Sequence, residues 1–204
     1  MKHYSYRDDI FGQNWFSYPK LYEQMVNRFP SGSKFVEVGS WKGRSSSHMA
    51  VEIANSNKNI SFYCVDTWSG SEEHYDASGS AYEPNIDRLY DIFTENMKPV
   101  SDYYIPLRMK SIEAAFKFED VSLDFVFIDA SHEYQDVLDD IKHWLPKVKP
   151  GGVLAGHDYY VQPYNHTFAP GVKQAVNESF NLYDLKMDED CWIYNVPLSS
   201  ELKK

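Results

Sequence analysis

The chain of 204 residues has only two cysteines, Cys64 and Cys191, and both stand in strand-like apolar runs. Two such thiols are too few to staple a small secreted scaffold, so they read as reduced core residues of a cytoplasmic protein. Long apolar runs are missing too: the hydrophobic stretches are strand-sized, and the N-terminus is polar and aromatic. That excludes a membrane span and a secretory leader from the reading. Basic charge is scarce, with 20 Lys and Arg against 30 Asp and Glu and a formal net charge of −10. A surface that neutralises a phosphate backbone needs the opposite balance, so no nucleic-acid partner is expected and a small-molecule substrate is. Repeats and low-complexity segments are absent as well, and the length suits one domain, residues 1–204, able to bury a substantial core.

From residue 34 onward, apolar runs of strand length alternate with helical patterns. Strands are expected at 34–39, 60–66, 103–107, 123–129, 152–157, 180–186 and 191–196. Ile86, Leu89, Tyr90, Phe93 and Met97 share one helix face, and Val137, Leu138, Ile141, Trp144, Leu145 and Val148 share another, which ends at the stop signal KPGG over 149–152. Tyr18, Leu21, Tyr22, Met25, Val26 and Phe29 outline an earlier helix that stops at Pro30. Strands separated by helices imply right-handed crossovers and a parallel sheet covered on both faces. The last two strands are joined only by the acidic turn MDED, and so short a link can join only antiparallel neighbours. The expected fold is α/β: a Rossmann-like doubly wound sheet of seven strands, mostly parallel, with a C-terminal antiparallel hairpin. An N-terminal helical and aromatic extension over 1–33 precedes the core at 34–196.

Residues 36–47 read VEVGSWKGRSSS, a strand, a tight turn and a helix start. Gly39 and Gly43 let the backbone approach a ligand, and the helix start offers unpaired N–H groups. The dinucleotide fingerprint G-x-G-x-x-G needs glycine where Trp41 and Arg44 stand, and the Gly-Lys-Ser or Gly-Lys-Thr of a triphosphate loop is absent. The ligand is therefore neither a nicotinamide dinucleotide nor a nucleoside triphosphate. Four acids fall at or near strand C-termini: Glu37, Asp66, Asp129 and Asp158. Those ends open on one edge of a parallel sheet, where ligands of this architecture bind, and an acid ending the second strand suits a ribose diol. Taken singly, each acid could equally be a loop or helix cap.

The stretch FIDASHEY, 127–134, ends an apolar run in Asp129 and sets His132 three residues later. Asp129 and Asp158 are hard oxygen ligands on neighbouring strand ends, suited to a divalent cation such as Mg²⁺. His132 is placed to aim an imidazole into the same site, where it could accept a proton. His157, beside Asp158, is a further candidate ligand that would favour a softer ion such as Mn²⁺ or Zn²⁺; the alternative is a core histidine bonded to backbone.

Together VEVGSWKGRSS, VDTWSGS, FIDASHEY, KPGGVLAGHDY and PGVKQAV resemble the class I S-adenosylmethionine-dependent methyltransferases over about residues 34–196. The branch most similar includes cephalosporin-hydroxylase-like and macrolide-sugar O-methyltransferase-like proteins. The resemblance implies that the methionine moiety of S-adenosyl-L-methionine lies against Glu37, Gly39, Ser40 and the turn Trp41, Gly43 and Ser45. It implies Asp66 at the ribose with Thr67 and Trp68 nearby, Ser111 and Ile112 bordering the adenine, and Asp129 between cofactor and metal. For Ser111 a helix N-cap role is an equal alternative. In metal-dependent O-methyltransferases of this type a metal-binding Asp is followed three residues later by the catalytic base, and His132 holds that place. The second metal segment of the family is commonly Asp-Asn, Asp-Asp or Glu-Asp, whereas this chain has His157-Asp158.

Two long segments, 67–84 and 159–170, follow strand ends, and their Trp68, Tyr75, Tyr82, Tyr159, Tyr160 and Tyr164 are expected to wall an acceptor pocket. The N-terminal DDIFGQNWFSY either closes that pocket from a third side or mediates homo-oligomerisation. Three functions stay open on these residues. The leading one is divalent-metal-assisted O-methylation of a small hydroxylated acceptor such as a sugar or catechol. The others are metal-independent methylation, perhaps of nitrogen, and a non-catalytic cofactor-binding module.

Overall fold

The computed structural model describes Ser5, Phe11 and residues 15–71, 74–79, 81–160 and 170–198. Helices and strands alternate as the pattern requires: α1 (Pro19–Arg28), β1 (Lys34–Val38), α2 (Arg44–Ser56), β2 (Ser61–Asp66), α3 (Leu89–Met97) and β3 (Ile105–Arg108) come first. They are followed by α4 (Ser111–Ala115), β4 (Leu123–Ile128), α5 (Tyr134–Trp144), β5 (Val148–Gly156), α6 (Pro170–Ser179), β6 (Leu185–Asp188) and β7 (Cys191–Asn195). The seven strands form one sheet in the order β3-β2-β1-β4-β5-β7-β6. β1 to β5 run parallel, and β7 lies antiparallel between β5 and β6. Among the described residues no helix is long and apolar enough to cross a membrane.

The side-chain alternation of the central strands divides the core into two layers. Phe35, Phe125 and Phe127 face α1, α2 and α3, where Tyr22, Met49, Ile53 and Phe93 cover them. Val36, Val38, Val126 and Ile128 face the opposite layer, closed by α4, α5 and α6 through Ala114, Ile141, Trp144 and Val176. Phe125 and Phe127 are almost fully buried, so truncating either to alanine would cost about 3–5 kcal/mol. Both cysteines are buried and unbridged.

Local signals set the ends of α1. Pro19 opens it, where a missing N–H is harmless, and Phe29 leaves in an extended conformation because Pro30 follows. Elsewhere the boundaries move. KPGG does not lie beyond the end of a helix: α5 stops at Trp144, one tight turn covers Leu145–Lys147, and β5 already begins at Val148. The register jumps from Leu123↔Val148 to Phe125↔Val153, so Pro150, Gly151 and Gly152 fall in an irregularity where a strand tolerates them. The predicted strand at 180–186 starts at Leu185, because Asn181 accepts the Tyr183 N–H and turns the chain first.

The sheet order reverses between β1 and β4, so the loops after those strands part to opposite sides. At that seam the Asp129 N–H donates to Val38 O at 2.8 Å. Gly39, at φ +90, lies so close that a Cβ there would stand 1.9 Å from the Asp129 carbonyl oxygen. Glycine is required at this position both for its backbone conformation and for its lack of a side chain.

Candidate active site

Glu37 sits in β1 on the α1–α2 side, 1% exposed. Its Oε1 accepts the Tyr22 hydroxyl at 2.8 Å, and its Oε2 accepts the hydroxyls of Ser40, at 2.9 Å, and Ser46. Burial raises its pKa, and hydrogen bonds from Ser46, Ser45, Tyr22 and Ser40 oppose that rise. Glu37 therefore does not open onto the sheet edge with the other three acids. It ties the turn after β1 from below, and Ser45 lies with it in the interior.

Asp66 performs a related task from β2. Its Oδ2 accepts the backbone N–H groups of Ser40 at 2.9 Å and Trp41 at 2.8 Å, and its Oδ1 accepts Trp68 N–H at 2.6 Å. Burial raises its pKa against the pull of those N–H donors. A carboxylate offers about four acceptor positions, so three are filled within the protein. Gly43 faces inward, where a Cβ would meet Met97 and Phe93. Trp68 is 2% exposed, packs on Phe93 and Tyr90, and donates Nε1–H to Trp41 O; it is a core residue and not a pocket wall. Thr67 Oγ1 accepts Ser69 N–H. Ser111 is the first residue of α4, not its cap: it donates to Asp140 and accepts from Trp144 Nε1, joining α4 to α5. Ile112 follows it, half-buried.

The ends of β4 and β5 bring Asp129, His132, His157 and Asp158 together. His132 Nε2 stands 3.0 Å from Asp158 Oδ2. His157 Nδ1 faces Asp158 Oδ1 at 3.3 Å and Asp129 Oδ1 at 3.7 Å, and its Nε2 pairs with Ser17 Oγ at 2.9 Å. Burial disfavours charge on His157, yet the charge and hydrogen bond of Asp129 and those of Asp158 lift its pKa to about 10. The two carboxylates thus favour the protonated form of the ring. Burial also raises Asp158, but hydrogen bonds from His132 and His157 and the charge of His157 hold its carboxyl well below the usual range. The Asp158 backbone adopts φ 60, which turns its carboxylate back between the two rings.

The N-terminal segment takes part in this edge. Tyr18, buried at the head of α1, donates to Asp129 Oδ2 at 2.6 Å. Burial and the neighbouring charges of Asp129 and Glu37 raise its pKa well above the ordinary value, so it remains a donor. Trp15, Trp41 and His74 gather over the turn after β1, with the Trp41 ring centroid 4.2 Å from that of His74 and 6.1 Å from that of Trp15. Ser17, Tyr18 and His74 escaped sequence reasoning. The tyrosine occupies an apolar helix position, and its only signal is that a buried Tyr needs a partner for its hydroxyl. Of the aromatics expected to wall a pocket, Tyr75, Tyr82 and Tyr160 are exposed, and Tyr159 packs inward against Asn177. Tyr164 and most of the segment 159–170 lie outside the described residues.

For an adenosyl cofactor, the turn Gly39–Gly43 has its backbone anchored from both sides, Asp66 keeps one acceptor position, and Trp41 Nε1 is a buried donor with no acceptor among the described residues. For a divalent cation, one ligand atom each from Asp129, His132 and Asp158 lies within 4.8 Å of the others, a spacing compatible with ligands about 2.0–2.4 Å from one ion. His157, named as a candidate ligand, lies outside that group: its Nδ1 faces the two aspartates and its Nε2 pairs with Ser17.

The chain matches the methyltransferase-domain family over residues 36–159. It is 28% identical over 131 residues to the protein y4gI of Sinorhizobium fredii, spanning 64% of this chain but 14% of that one. It is 25% identical over 177 residues to a protein of Acanthamoeba polyphaga mimivirus, covering 84% of this chain and 71% of that one. In structure it resembles cofactor-bound Rv0187 from MTB, with TM-score 0.63, 11% identity and coverage of 94% and 86%. It also resembles the O-methyltransferase NovP, with TM-score 0.57, 19% identity and coverage of 88% and 79%. A third likeness is to the O-methyltransferase from Bacillus cereus in complex with SAH, with TM-score 0.56, 16% identity and coverage of 90% and 82%.

Proposed function

The chain belongs to the methyltransferase-domain family, and on that premise we propose that it methylates a hydroxyl of a small acceptor with S-adenosylmethionine as the donor. The observation that carries the reading is the Asp129, His132 and Asp158 cluster, set at the sheet's reversal point directly beside the Gly39 turn. S-adenosylmethionine supplies a sulfonium methyl, and Gly39, Ser40, Trp41 and Asp66 form the edge that would hold it. A divalent ion held by Asp129, Asp158 and His132, or by the two aspartates alone, would supply Lewis acidity that lowers the pKa of an acceptor hydroxyl.

An alcohol or phenol is a poor nucleophile at neutral pH until its proton is removed. With the aspartates as ligands, His132 would be left to take that proton from the acceptor hydroxyl, and bound S-adenosylmethionine would supply the methyl group. Asp158 Oδ2, 3.0 Å from Nε2, then stabilises the imidazolium. Tyr18 and His157 hold Asp129 in place by hydrogen bond and by charge.

Metal-independent transfer is the second reading, and His157 favours it, since its imidazolium already partly neutralises the two aspartates. The deciding experiment follows methyl transfer to a panel of catechols, sugars and amines, with and without excess EDTA. Ether products that vanish on chelation support the first reading. Ethers formed at full rate in EDTA move the chemistry to His132 without a metal, and methylated amines alone overturn oxygen as the acceptor.

A further inference from the structure

Away from the sheet edge, α1 and α2 pack together and bring three potential ligands to one point: Glu23 from α1, and His48 and Glu52 from α2. His48 and Glu52 are four residues apart, so they project from the same helix face. One ligand atom from each of the three lies within 4.8 Å of the others. His48 Nε2 stands 3.8 Å from Glu23 Oε1. That is too far for a hydrogen bond, but two ligands about 2.1 Å from one ion can stand up to about 4 Å apart.

The surroundings of His48 are those of a ligand. The residue is 8% exposed and hydrogen-bonded to the backbone of Pro19. Proline has no N–H, so the ring must donate to its carbonyl. A backbone carbonyl on one imidazole nitrogen sets the tautomer and turns the other nitrogen's lone pair to the metal in many protein sites. Burial lowers the His48 pKa, more than Glu23 and the Pro19 bond raise it, which keeps the neutral form that ligation needs. Burial and the charge of Glu23 raise the pKa of Glu52, so the two carboxylates crowd one another and a cation between them would relieve both. Glu23, 48% exposed, leaves an approach from solvent.

We propose that Glu23, His48 and Glu52 bind a divalent transition ion of the zinc type that clips α1 to α2. One imidazole and two carboxylates suit Zn²⁺ better than the all-oxygen cations. The clip would lie next to Phe16, whose ring is 5.3 Å from that of His48. Phe16 directly precedes Ser17 and Tyr18, which reach His157 and Asp129. The ion would therefore fasten the segment that covers the sheet edge. It is structural, and it is separate from any ion on Asp129 and Asp158.

Zn²⁺ titration calorimetry on the full chain, stripped with chelator, tests this in an Asp158→Asn background that silences the other cluster; asparagine tolerates the positive φ of that position. One Zn²⁺ per chain should bind and raise the thermal midpoint. Adding Glu23→Gln or Glu52→Gln removes a charged ligand and should weaken binding by at least about 100-fold, the most that losing a supporting partner costs, and abolish the midpoint rise. Both glutamates reach solvent, so these variants keep the fold, and circular dichroism checks that they do. Absence of Zn²⁺ binding in the Asp158→Asn background, or affinity unchanged by both glutamate variants, would overturn the proposal.

Discussion

The two halves of the sheet edge use carboxylates in opposite ways. On the β1–β2 side, Glu37 and Asp66 spend nearly all their acceptor capacity on hydroxyls and N–H groups of the protein itself. On the β4–β5 side, Asp129 and Asp158 face ionisable imidazoles. The first pair holds a backbone loop in shape, and its charge is muffled by burial. The second keeps charge that can move protons or hold a cation. Substitutions on the first side should therefore alter stability and cofactor affinity, and those on the second should alter rate and its pH dependence.

The largest expected effect is that of His132→Ala on the chemical step, a slowing of about 10²–10⁴-fold with cofactor affinity nearly intact. Single-turnover methyl transfer against pH should also lose its acid limb in the variant. A wild-type rate with the same limb would remove His132 from proton transfer. Next comes Glu37→Ala, which strands Tyr22, Ser40 and Ser46 in the interior and should cost about 2–4 kcal/mol in denaturant unfolding. A change below about 0.5 kcal/mol would show that the network under the turn does not hold it.

Asp66→Ala should weaken S-adenosylmethionine binding by about 1–3 kcal/mol in calorimetry, because Ser40 and Trp41 lose the anchor for their N–H groups. Unchanged affinity would detach Asp66 from the cofactor. The effect smallest per step of the measurement is a slope. His157 is raised from its ordinary value to about 10, so its stabilisation is complete below about pH 6.5 and is lost as pH climbs toward 10. The paired depression of Asp158 acts at the other end: its stabilisation is present above about pH 4 and is lost on acidification. In chelator, wild type should lose up to about 1.4 kcal/mol per pH unit more than His157→Gln across the alkaline range. Parallel pH–stability curves would mean that the imidazolium is absent.

The same contrast explains what could be read from the chain before its structure. The strands could be read from apolar runs such as LDFVFI, whose six residues are all buried in β4, because a central parallel strand must be apolar on both faces. The hairpin could be read from the short MDED link; the order of the strands in the sheet came only with the structure. The site was legible where its residues sit at strand ends, as Asp66, Asp129 and Asp158 do. It was not legible where a residue acts through a long-range bond. Tyr18 lies 111 positions from Asp129 and Ser17 140 from His157, and nothing in a helix-like run of tyrosines reveals which hydroxyl will reach an acid. Glu37 misled in the other direction: its strand position was right, but period-2 alternation turned its side chain into the α1–α2 layer. KPGG failed because a bulged strand and a helix stop share the same residues.

The contact between Gly39 and the Asp129 carbonyl has one further consequence. It leaves no room for a side chain between the turn and the end of β4, so the gap between the two halves is gauged by main chain alone. Substitutions in the loops above the edge can accumulate without altering that gauge. A relative whose loops differ should therefore retain glycine here, and a library that randomises only the loops should leave the spacing of the two halves intact.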